Sequence, residues 1–66
     1  MVETPPSDPE DALASVVALR KLAERVEDDA VARAVGAGWS WAQVAEALGV
    51  TKQAAHKKHA SRLRGA

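Results

Sequence analysis

Residues 38–60 read GWSWAQVAEALGVTKQAAHKKHA, and their punctuation decides the fold. Ser40 is a good N-cap, with Gln43 three residues on to reach back to it. Trp39 before the cap and Val44 after it form a hydrophobic staple. Two start signals therefore coincide at one position, and a short helix over 41–48 follows, with Trp41, Val44, Ala45 and Leu48 on one side. Gly49 stops it, and Thr51 caps a last helix over 52–63 with Val50 as its staple residue. The whole reads as helix, tight turn at Leu48-Gly49-Val50, helix. Such a unit needs a small residue where the helices cross, which Ala45 supplies, and a residue tolerant of positive φ in the turn, which Gly49 supplies. It also needs an apolar plug after the turn, for which Val50 stands.

Upstream, Asp8 caps a helix whose first position is Pro9, and Glu10 and Asp11 put negative charge on the positive end of its dipole. Ala12, Val16, Leu19, Ala23, Val26 and Ala30 step by three and four, widened by Leu13, Val17 and Leu22, which predicts an amphipathic helix. Nothing breaks this run before Gly36-Ala37-Gly38. It forms either one helix from about 9 to 36 or two divided near Glu27-Asp28-Asp29. Residues 1–7, MVETPPS, read as a flexible tail. The expected architecture is an all-α, three- or four-helix helix-turn-helix domain over 8–66, with a long N-terminal helix and the helix-turn-helix at 40–63.

A chain of 66 residues is one domain at most, and at this size only about 60% of the unfolded chain's surface is hidden on folding. Fifteen alanines and no Phe or Tyr make for little apolar area per buried side chain. A second copy would complete such a core, so the stripe of the N-terminal helix is open to two uses, pairing in a homodimer or folding back on its own domain. Without cysteine there is neither a disulfide framework nor a thiolate metal site. The start has no secretory signal and no apolar run reaches bilayer length, which gives a cytoplasmic, nucleoid-associated expectation and no membrane partner.

Charge is balanced in sum, nine basic against nine acidic, but not along the chain. Residues 1–46 hold four basic and nine acidic groups, net −5; residues 47–66 hold five basic groups and no acid, net +5. One end suited to a polyanion is the reading of that asymmetry.

Residues 38–60 resemble the helix-turn-helix of small bacterial DNA-binding regulators, in particular short actinobacterial proteins in which such a unit follows an N-terminal helix. The resemblance implies a tri- or tetrahelical fold, binding in the major groove of double-stranded DNA and often a dimer. Carried onto this chain, it turns Lys52, Gln53, His56 and Lys57 toward base edges. Ser40, Trp41, Thr51, Lys58, Arg62 and Arg64 would meet phosphates, Ser40 and Trp41 through their backbone amides. Ala55 departs from the pattern, which places a larger branched residue there, and the packing line runs on through polar His59. Both tryptophans are expected to fill the resulting space, with His59 packed against one of them.

His56 and His59 are three apart on a helix, but with no Cys or acid beside them they make no metal site, and no metal or cofactor is expected. No paired carboxylates, nucleophile elbow or phosphate-cradling loop is present, so neither an enzyme nor a small-molecule ligand is expected. Two other readings stay open: a helical adaptor for an acidic protein partner, and an architectural protein that coats DNA without preference.

Overall fold

The structure is a computed structural model, and it describes residues 8–64; the tail assigned to 1–7 lies outside them. Three helices and no strand make up the described residues: α1 over Pro9–Gly36, α2 over Trp41–Leu48 and α3 over Lys52–Arg64. The all-α expectation holds, and the helix-turn-helix falls on α2 and α3.

α1 is one helix of 28 residues. Asp8 Oδ1 accepts the Glu10 amide at 3.2 Å, and Pro9 occupies the first turn. The acidic run at 27–29 does not divide it. Asp29 pairs with Arg33 one turn on at 2.9 Å, and Glu27 and Asp28 turn toward α3, so neither Asp28 nor Asp29 caps a new helix.

Both helix ends that frame the turns close in the same way. The Trp39 amide donates to Ala34 O and Gly38 to Val35 O, both at 3.0 Å, with Gly38 at φ 95°. The Val50 amide donates to Ala45 O at 3.0 Å and Gly49 to Glu46 O at 3.2 Å, with Gly49 at φ 74°. Each is a Schellman motif, in which a left-handed residue lets two amides satisfy the last free carbonyls. Gly36, by contrast, is simply the last helical residue of α1.

At the start of α2 the capping box is complete: Ser40 Oγ accepts the Gln43 amide at 3.1 Å, and Gln43 Oε1 accepts the Ser40 amide at 2.8 Å. Thr51 Oγ1 does the same for α3, accepting the Ala54 amide at 3.1 Å.

The core is small. Val31 from α1, Val44 and Ala45 from α2, and Ala55 from α3 are buried, with Ala34, Val35, Trp41 and Leu63 packed around them. Ala45 and Ala55 are both small, so α2 and α3 close on each other with no branched residue between them. The space expected to need tryptophan is filled differently. Trp39 is 46% exposed, Trp41 is half-buried, and Val50, 47% exposed, lines a small cleft instead of filling the space between the helices. The largest fully buried side chain is His59. No helix among the described residues is long and apolar enough to cross a membrane.

Gly49 has open space where a Cβ would go, so its requirement is conformational alone. Gly49→Ala is expected to cost about 1–2 kcal/mol, the penalty of a left-handed alanine. Gly36→Ala, also in open space but helical, is expected to add about 0.5–1 kcal/mol. Urea denaturation followed by circular dichroism checks both; equal effects would contradict the assignment of the turn to Gly49.

Candidate nucleic-acid interface

α3 carries two polar faces with different employment. Toward α1, Lys58 Nζ lies 2.9 Å from Glu24 Oε1 and 3.1 Å from Glu27 Oε2. His59 Nε2 lies 2.6 Å from Glu27 Oε2, and Arg62 Nη2 lies 2.8 Å from His59 Nδ1. Arg62 also reaches Asp28, at 3.4 Å from its carbonyl oxygen and 3.7 Å from Oδ1.

Chemistry fixes the histidine's tautomer here. A guanidinium has no acceptor, so it donates and Nδ1 accepts; Nε2 then carries the hydrogen and donates to Glu27. The Glu27 contact is a charge-assisted hydrogen bond from a ring with no solvent exposure. No buried side-chain polar atom among the described residues lacks a partner. The hydrogen bonds from His59, and then from Lys58, hold the Glu27 carboxyl below the usual carboxylate range. Glu24 and Glu27 in turn hold the Lys58 ammonium charged beyond the usual lysine range.

Away from α1, Lys52, Gln53, His56 and Lys57 are all exposed along the first turns of α3. Among the described residues neither lysine has an ion-pair partner. His56 is met edge-on by Trp41 of α2, with ring centroids 5.4 Å apart and planes at 81°. The four residues assigned to base edges thus share the open part of α3, at the end nearest the α2–α3 turn.

The six assigned to phosphates do not stay together. Lys58 and Arg62 are engaged with α1, because its acids at 24, 27 and 28 share the face that packs on α3. The Ser40 amide is taken by Gln43, which leaves the amides of Trp41 and Ala42 as the unmatched donors that open a helix. Thr51 is exposed, with its hydroxyl capping α3. Arg64 ends α3, and its side chain lies outside the described residues. His59 also differs from expectation: its partners are Glu27 and Arg62, and it is His56 that meets a tryptophan.

No family model, characterised protein or solved structure matches the chain. Among the described residues there is no group of His, Cys, Asp and Glu arranged to hold a metal ion.

Glu24, Glu27 and Asp28 are the residues that sequence reasoning missed. Their signal was present: spacings of three and four put them on one face of α1, opposite Lys58, His59 and Arg62 at equivalent spacings on α3.

Because folding lowers the Glu27 pKa, the stabilisation it gives is complete at neutral pH and lost as pH falls through and below the ordinary carboxylate range. Glu27→Gln is expected to be less stable at neutral pH and to converge with the parent chain in acid. Denaturation midpoints measured across that range check this, and parallel pH curves would refute it.

Proposed function

We propose that the chain is a non-enzymatic DNA-binding protein, a transcriptional regulator of the cytoplasm and nucleoid, acting as a homodimer with α3 in the major groove. The observation that carries this reading is the exposed opening of α3. Lys52, Gln53, His56 and Lys57 stand there together behind a glycine-closed turn, with no acid on the same helix.

The chemistry suits base edges. Lysine donates to guanine O6 and N7, and glutamine pairs bidentately with adenine N6 and N7. Trp41 holds His56 from the side, which limits its freedom before any duplex arrives and lowers the entropy lost on contact. The amide of Trp41 and the hydroxyl of Thr51 are the local phosphate donors, and Arg64 belongs with them on its position in the sequence. Lys58 and Arg62 take a positioning role: they hold α3 on α1 and so set the angle at which its first turns project.

This division narrows the electrostatic argument. Of the basic groups in 47–66, two answer acids of the same chain, so a smaller share than the net +5 of that segment faces a polyanion. Weak sequence-independent binding and a shallow salt dependence follow, since each phosphate neutralised adds only about 0.9 to the slope.

Site selection from a random duplex pool, followed by titration at two salt concentrations, tests the reading. A preferred site is expected, and Gln53→Ala should lose about 1–3 kcal/mol on it while leaving random duplex unaffected. Equal affinity for all duplexes would leave a coating protein. Absence of binding would leave the adaptor.

A further inference from the structure

We infer that the apolar groove between α1 and α2 seats the N-terminal half of α1 from a second copy of this chain, so that two α1 helices lie antiparallel and each covers the other. The inference deepens the homodimer in the reading above and rests on that element alone, not on the duplex.

Residues 12–19, ALASVVAL, hold no charge on any side of the helix. A helix apolar all round belongs in an interior. Yet every residue from Leu13 to Val26 is exposed, and the large apolar ones among them are 39–66% exposed. They leave on the order of 600 Å² of mostly apolar surface uncovered, above what scattered surface residues account for and near the roughly 800 Å² per partner of a standard interface.

The shape of this surface says what covers it. Val16, Leu19, Ala23, Val26 and Ala30 alternate steps of three and four, the seam of a two-stranded coiled coil. At Ala30 and Ala34 the seam runs into an open groove of about 410 Å³, walled on the far side by Trp39, Val44 and Leu48. Two copies laid antiparallel put Leu19 opposite Ala23, large against small, and Val16 opposite Val26, and bring Leu13 of each to the groove of the other. The apolar half of one α1 thereby meets the grooved half of its twin, the self-complementarity that a two-fold interface requires.

Charge selects the direction. Antiparallel pairing sets the acidic first turn, Glu10 and Asp11, beside Arg33 of the other copy, and Arg20 beside Glu24, with each contact made twice. It also opposes the two helix dipoles. A parallel pair would face Arg33 with Arg33 across the seam. Glu24, Glu27 and Val31, which carry α2 and α3, lie on one flank of the seam, and in the antiparallel pair like flanks fall on the same side. With the axis near residue 21, Glu27 and Val31 stand about 18 and 30 Å from their twins along α1 at 1.5 Å per residue, the outer of the two approaching the roughly 34 Å between half-sites one helical turn apart.

The chain has no cysteine, so directed cross-linking reads the arrangement. Sedimentation of the full chain at high micromolar concentration is expected to give two chains per particle. An oxidised mixture of D11C and R33C chains is expected to give the mixed cross-link. Leu19→Glu should weaken association roughly tenfold or more, since a charge would enter the seam, with helicity by circular dichroism unchanged because Leu19 touches no core residue. Asp11→Arg should weaken it less and be rescued by Arg33→Asp. A monomer, cross-links of 11 to 11 and 33 to 33, or a dimer indifferent to Leu19→Glu would each overturn the inference. DNA binding by a monomer would leave the duplex reading standing without it, and a dimer that ignores DNA the reverse.

Discussion

The polar clamp between α1 and α3 is the constraint on which the rest depends. Four buried apolar residues, none larger than valine, cannot by themselves fix the angle of a 28-residue helix. The clamp does so. Glu27 receives hydrogens from a buried imidazole and a lysine, and Arg62 closes the other side of that imidazole. Such a network is costly when broken, because each group left behind is a buried or half-buried polar atom without a partner. It is also directional in a way that valine and alanine contacts are not.

From this follows the division of α3. Positions 58, 59 and 62 face inward and are spent on the fold. Positions 52, 53, 56 and 57 face outward at the end where Gly49 turns the chain. One helix therefore serves as a structural strut on one face and leaves the other open to solvent. The same constraint leaves the first half of α1 with nothing among the described residues to pack against: the clamp begins at Glu24, and α2 and α3 together are too short to reach further along it. An apolar rod projecting from a small, tightly capped unit is the result.

The sequence showed the local chemistry clearly. Asp8, Ser40 with Gln43, Thr51 and Gly49 act within a few residues of themselves, so their hydrogen bonds could be read from spacing alone, and the helix boundaries followed. What spacing could not decide was anything settled across the chain. Whether 27–29 ended a helix depended on Lys58, His59 and Arg62, some thirty residues away. The placement of Trp39 was misread because volume was counted without a partner for His59: once that ring is held by Glu27 and Arg62 it fills the interior, Trp41 packs half-buried against the core, and Trp39 remains toward the surface. Lys58 and Arg62 were assigned to phosphates by the resemblance, and their ion pairs with Glu24, Glu27 and Asp28 lay beyond the reach of spacing within the basic run. That run has two faces, and only the fold says which of them meets α1.

The central claim is that the outward turns of α3 meet a duplex while the clamp stays closed. Amide chemical-shift mapping of the labelled chain with its selected duplex tests it directly. The account predicts shifts concentrated at residues 51–57 and at the first amides of α2, with Glu24, Glu27 and Asp28 unmoved. Shifts centred on α1, or opening of the Glu27–His59 contact as DNA is added, would contradict it.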